Sequence, residues 1–199
     1  MKKVIVISWL AILFSGVIIL FWYNEWVYSL PTPVPKSYKT IKQGEIVHLG
    51  EKFNSPRNKP LLLHFFNPDC PCSRFNIKHV KSLIELYGDK VDFTVVVLNK
   101  DNNYTSADIQ KKFGLNVPVL FDKSIADSCG VYSTPQAVIL NTNNTLYYKG
   151  NYNKSRYCTL KESDYAQMAI DSLLNDSPNP TFSSYALTAY GCQLPNCNK

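Results

Sequence analysis

The chain has 199 residues, 45% hydrophobic and 18% charged, enough for one globular domain with appendages. Its net charge of +6 is spread without any block of lysines or arginines, which argues against a nucleic-acid partner and for an ordinary solvated surface.

Lys2 and Lys3 precede an uncharged run from Val4 to Asn24 that is rich in Ile, Val, Leu and Phe. About 20 apolar residues cross a bilayer as one helix. Trp22, Tyr23, Trp26 and Tyr28 follow where an aromatic interface belt is expected. Residues 1–29 are therefore read as a cytoplasmic lysine pair plus a signal-anchor. This makes a single-pass protein of the inner membrane, with the remainder on the periplasmic, extracytoplasmic side. A cleaved signal peptide is the alternative, with Val27 and Ser29 at its cleavage site. Against it stands a run longer than the usual apolar core of roughly 7–15 residues. Export gives meaning to the six cysteines, Cys70, Cys72, Cys129, Cys158, Cys192 and Cys197, since disulfides persist outside the cytosol.

Pro31, Pro33 and Pro35 make residues 30–44 an extended linker that holds the following domain off the membrane. The domain is expected over residues 45–176. Glu45–Leu49 reads as a short strand, and Leu61–Phe66 as a strand buried on both faces. Cys72–Tyr87 has apolar residues at helical spacing and stops at Gly88. Val91–Leu98 is a second buried strand, and Thr105–Phe113 a helix ended by Gly114. Val119–Phe121, Ala137–Leu140 and Leu146–Tyr148 read as strands, the last two joined by an Asn-rich turn. Glu162–Leu174 closes with an amphipathic helix. The order β-α-β-α-β-β-α around one sheet gives an α/β class. Residues 177–199 form a tail without periodicity that carries Cys192 and Cys197.

Chemistry concentrates at Cys70-Pro71-Cys72-Ser73, where an apolar strand passes into a helix. Helix N-terminal N–H groups, Arg74 and Lys78 favour a thiolate there, while Asp69 opposes it. Cys70 is the candidate nucleophile, expected at the surface. Cys72 is the first-choice resolving thiol. A bridge between residues two apart is within geometric reach but strained, which equally leaves Cys72 unbridged. Cys129, Cys158, Cys192 and Cys197 are read as structural staples, or as the source of another resolving thiol delivered by a tail that folds back.

This arrangement resembles the thioredoxin-like superfamily, nearest its exported, membrane-anchored redoxins and a group of such domains of unassigned function. The carrying residues are Leu61–Phe66 followed by Cys70 at a helix start, then Ser133-Thr134-Pro135 before the strand Ala137–Leu140. The resemblance covers about residues 45–175. It implies a thioredoxin-like fold, a central mixed sheet flanked by helices. It also implies that Pro135 is a cis-proline facing Cys70, and that Thr134 presents its backbone to a bound thiol partner. Two departures stand out. The second cysteine of thioredoxin falls on Ser73, with Cys72 at thioredoxin's proline. The buried acid six residues before the first cysteine is matched by His64, which can also accept a proton near neutral pH.

The expected function is thiol–disulfide oxidoreduction on exported protein thiols, with Cys70, Cys72 and His64 as the catalytic set and no cofactor. The alternatives are soft-metal binding or copper delivery through Cys70, Cys72 and His79, and a stapled interaction module that catalyses nothing. A peroxidase is disfavoured because Asn67 stands where peroxiredoxins carry Thr or Ser. The sequons at Asn103, Asn143, Asn153 and Asn175 are read as chance loop composition.

Overall fold

The computed structural model describes residues 2–50, 53, 57–99, 103–177 and 180–194. The elements in chain order are α1 (Lys2–Ser29), β1 (Leu61–Phe66), α2 (Pro71–Phe75), α3 (Ile77–Tyr87), β2 (Asp92–Val97), α4 (Ser106–Phe113) and β3 (Val119–Leu120). After them come α5 (Lys123–Cys129), β4 (Ser133–Thr134), β5 (Gln136–Leu140), β6 (Leu146–Gly150), α6 (Tyr165–Leu174), α7 (Ser184–Leu187) and β7 (Cys192–Gln193).

Helix α1 is apolar on every side; Trp9, Phe14, Phe21 and Trp22 all face outward. A helix with no polar face calls for an apolar surrounding rather than one partner surface. Its span Lys2–Trp26, 25 residues, is about 37 Å long, more than the ~30 Å of a bilayer core. Among the described residues it is the one helix long and apolar enough to cross a membrane.

The proline-rich linker is less free than its composition suggests. Thr32 is only 2% exposed. Its N–H donates to the Ala189 carbonyl at 2.7 Å, and its hydroxyl to the Gly191 carbonyl at 2.7 Å. A buried hydroxyl and N–H need partners, and the tail supplies both.

Five strands form the main sheet in the order β3-β2-β1-β5-β6. β1 runs parallel to β2, and β2 to β3, while β5 is antiparallel to β1 and to β6. All six residues of β1 are buried, as its unbroken apolar run predicts for a central strand covered on both faces. The two-residue side-chain period divides them. Leu61, Leu63 and Phe65 pack with Ile125, Val138 and Leu140 on one face. Leu62 and Phe66 pack with Val80, Leu83, Ala166 and Ile170 on the other. His64 belongs by alternation to this second face, beneath α3 and α6.

Three local departures from the sequence pattern have physical causes. The helix expected over Cys72–Tyr87 is two helices broken at Asn76. There the backbone N–H turns to Ser73 at 3.2 Å, and the side-chain amide donates to the Cys72 carbonyl at 3.3 Å. Short amide side chains compete with the helical ladder in this way. The strand expected over Glu45–Leu49 shrinks to a single bridge, Ile46 to Thr145, although Val47 and Leu49 are buried. The tail, which lacks periodicity, still forms α7 and β7. A separate two-stranded sheet joins β7 to β4, with Thr134 opposite Cys192 and Ser133 opposite Gln193.

Candidate active site

Cys70 ends the loop between β1 and α2. Its carbonyl accepts the Arg74 N–H at 3.2 Å, making it the N-cap of α2. Pro71 follows in the first turn, where the missing N–H costs nothing. The loop is held from within. Cys70 N–H donates to the Asn67 carbonyl (3.1 Å), Asp69 N–H to Asn67 Oδ1 (2.9 Å), and Asn67 N–H to the Ser73 hydroxyl (3.2 Å). Ser73, at the position of thioredoxin's second cysteine, is therefore a fully buried acceptor that ties the loop to the helix.

The structure brings Cys70, Cys72 and Cys192 together: their Sγ atoms all lie within 4.8 Å of one another, and all three residues are buried. Cys70 is disulfide-bonded. The expectation of a surface thiol at Cys70 is corrected, because this residue is 0% exposed. Its cover is the tail, whose strand β7 lies on β4 and lays Cys192 into the same sulfur cluster. The approach is close: a Cβ added at Gly191 would overlap the Thr134 carbonyl, so this position tolerates only glycine without a shift.

The Thr134–Pro135 peptide bond is cis, as the resemblance implies. Thr134 is 1% exposed and gives its backbone to Cys192 across the β4–β7 pair. Pro135 lines a cleft of about 370 Å³ shared with Cys72, Asn76, Tyr152, Arg156 and Gly191. Cys72 thus meets the open side of the site, and Cys70 the closed side. At one end of the cleft Arg156 donates to Glu25 of α1 at 2.9 Å.

His64 lies 1% exposed, with Nδ1 2.7 Å from the Tyr152 hydroxyl. Its Nε2 has no hydrogen-bond partner among the described residues. Burial foremost, and His79 second, push its pKa down to about 3, so the ring is neutral at pH 7. Burial also raises the Tyr152 hydroxyl well above its ordinary value, so it keeps its proton. His79 has Nε2 2.8 Å from an Asp164 carboxylate oxygen and is not among the residues that cluster with the sulfurs. The third group beside Cys70 and Cys72 is therefore Cys192 rather than His79.

Cys129 and Cys158 carry free thiols, which corrects the staple reading for these two. Cys129 ends α5 inside the core with Leu63 and Val131. The Cys158 thiol donates to Asn76 Oδ1 at 2.8 Å. Burial pushes both thiols up to about 12. Cys197 lies outside the described residues.

Several residues that shape this site carried no local signal. Tyr152, Gly191 and Thr32 meet the motif only through long-range contacts, and Asn76 breaks a run whose apolar spacing stays helical. The clue available was the pair of tail cysteines, whose presence in a chain expected to be exported already asked for partners.

Residues 38–195 match the family model described as Domain of unknown function (DUF6436). No curated protein matches the chain. Among solved structures, a hypothetical protein from Sinorhizobium meliloti 1021 is 20% identical with a TM-score of 0.64, covering 79% of this chain and 96% of its own. An uncharacterized conserved protein from Geobacillus kaustophilus is 17% identical with a TM-score of 0.59, covering 80% and 94%. A thioredoxin-like protein solved in solution in its oxidized form is 14% identical with a TM-score of 0.51, covering 74% and 98%. At such identities the shared property is the fold, and that fold is thioredoxin-like.

Proposed function

We propose that this chain, which belongs to the DUF6436 family, is a thiol–disulfide exchange protein acting on exported protein thiols. In this reading α1 anchors it in the inner membrane and the domain faces the extracytoplasmic side. The observation that carries the reading is the sulfur cluster: Cys70 is a half-cystine beside two further sulfurs within 4.8 Å, and the cis-proline loop flanks them. A thiolate attacks a disulfide sulfur and releases the other sulfur as a thiolate, so exchange needs neighbouring sulfurs and a seat for the partner. Cys70 is the exchanging sulfur, and Cys72 the resolving sulfur on the cleft side. Thr134 and Pro135 shape the partner's seat. His64 enters as a neutral ring with a lone pair; its depressed pKa makes any proton it takes short-lived.

The test is turnover of a self-quenched fluorescent glutathione disulfide by the detergent-solubilised full chain with a thiol reductant. Cys70→Ser is expected to bring the rate to that of reductant alone. An unchanged rate in that variant sinks the assignment.

One observation favours a second reading. Three soft sulfurs within 4.8 Å suit a soft monovalent ion such as Cu(I), with Cys192 in the place first given to His79. In that case the reduced chain competes for Cu(I) with a chromophoric chelator and loses this ability on Cys192→Ser. Failure of the reduced wild-type chain to compete rules it out.

A further inference from the structure

The tail strand occupies an unusual place. Cys192 and Gln193 lie antiparallel on Thr134 and Ser133, the backbone that directly precedes the cis-proline. An extended segment added to such a backbone edge gains main-chain hydrogen bonds and places its side chains in register with the site. The side chain placed in register here is a cysteine, its sulfur within 4.8 Å of the Cys70 sulfur. Three further features show that the seat is built for this strand. Gly191 leaves no room for a Cβ against the Thr134 carbonyl. The buried Thr32 hydroxyl donates to the Gly191 carbonyl at 2.7 Å and lies 3.2 Å from the Ser133 hydroxyl, so the linker clamps tail and loop together. With the strand seated, Cys70 is fully buried.

We propose that the C-terminal strand is an intramolecular redox partner of this site: it fills the seat an external protein thiol would take, and Cys192 exchanges with Cys70. The inference rests on the thiol–disulfide reading and names a partner within it. The step is a balanced exchange. With Cys70 joined to an outside sulfur, as in a mixed disulfide with a client protein or glutathione, the Cys192 thiolate attacks Cys70 Sγ. The Cys70–Cys192 bond forms, the bond to the outside sulfur breaks, and that sulfur leaves as a thiolate and takes a proton. Cys192 sulfur is oxidised and the departing sulfur reduced, so no further oxidant is needed. The reverse step, by an incoming thiolate at Cys70, returns the tail to its thiol form. Seating and exchange are coupled, because a client gains the seat only when the strand leaves it.

The experiment uses the reduced full chain in detergent micelles, treated with glutathione disulfide, quenched in acid and mapped by mass spectrometry. In the wild type the expected product is Cys70 linked to the tail peptide through Cys192, with little glutathione left on Cys70. A tethered thiol acts at an effective concentration in the millimolar range, so in a Cys72→Ser background, which removes the other resolving sulfur, Cys192→Ser should lengthen the life of the Cys70–glutathione adduct about tenfold or more. Gly191→Val, which unseats the strand without touching a sulfur, should speed glutathione entry at Cys70. The wild-type map does not depend on whether any variant folds. The proposal is overturned if Cys70 links only to Cys72, or if the link to the tail forms as fast in Cys192→Ser. It is also overturned if Gly191→Val, folded by circular dichroism, takes up glutathione at the wild-type rate. Absence of any glutathione adduct at Cys70 in all of these proteins overturns the exchange reading itself, a result distinct from these.

Discussion

Lowering the pH should destabilise this domain through one side chain. His64 has a pKa near 3 in the folded protein, because burial opposes its charge and His79 adds to the opposition. In the unfolded chain the ring returns to about 6.5. Between those values the unfolded state holds a proton that the folded state refuses, so stability falls as pH falls. The contribution is fully present above the unfolded value and declines steadily toward pH 3. At pH 5 the chain is about 1.5 pH units into this window, which corresponds to a loss of about 2 kcal/mol at ~1.4 kcal/mol per unit. That is a large share of the stability of an ordinary domain. Urea unfolding followed by circular dichroism, at pH 7 and pH 5, measures it against His64→Leu. The variant has its own constant offset, since it strands the Tyr152 hydroxyl, but it lacks the titrating group. The wild type should lose about 2 kcal/mol more than the variant between the two pH values. Parallel losses in the two proteins would refute the reasoning.

Three other outcomes are expected. Tyr152→Phe leaves Nδ1 of a buried His64 without its partner at 2.7 Å, which should cost about 1–3 kcal/mol and lower the melting temperature by several degrees; an unchanged melt would show the contact to be neutral. Thr105→Ala removes the capping box in which the Thr105 hydroxyl accepts the Asp108 N–H and Asp108 accepts the Thr105 N–H, at a cost of about 1 kcal/mol read from the same melt. Cys129 and Cys158, their thiols pushed up to about 12, should alkylate with iodoacetamide at pH 8 roughly a thousandfold more slowly than free cysteine. Rates comparable to free cysteine, followed by peptide mapping, would contradict the burial argument.

The sheet was legible in the sequence because it is written in runs. Leu61–Phe66 is apolar at every position but His64, so its burial on both faces follows without knowing its neighbours. Thr105 and Gly114 mark the two ends of α4, and the structure uses both, with Asp108 completing a capping box on Thr105. Pro135 was also readable, through the resemblance, which implies a cis-proline before this strand. The enclosure of Cys70 was not readable. It depends on Cys192, 122 positions away in a segment without periodicity, meeting Thr134 edge to edge. Backbone pairing of two residues leaves no hydrophobic signature, and Gly191 reads locally as ordinary loop composition. The break at Asn76 escaped for a similar reason: its polar side chain answers Cys72 and Cys158, and the apolar spacing on either side stays helical.

The burial of Thr32 also sets a distance. Helix α1 ends at Ser29 and Thr32 is already fastened to the tail, leaving three residues that reach at most about 11 Å. Where α1 lies in a bilayer, the cleft beside Pro135 is held close to the lipid headgroups and cannot sweep outward on a long tether. Its reach into the compartment is short. Under the exchange reading, that geometry would select clients by height, favouring thiols carried on membrane-bound proteins near the surface over those of proteins diffusing far from it.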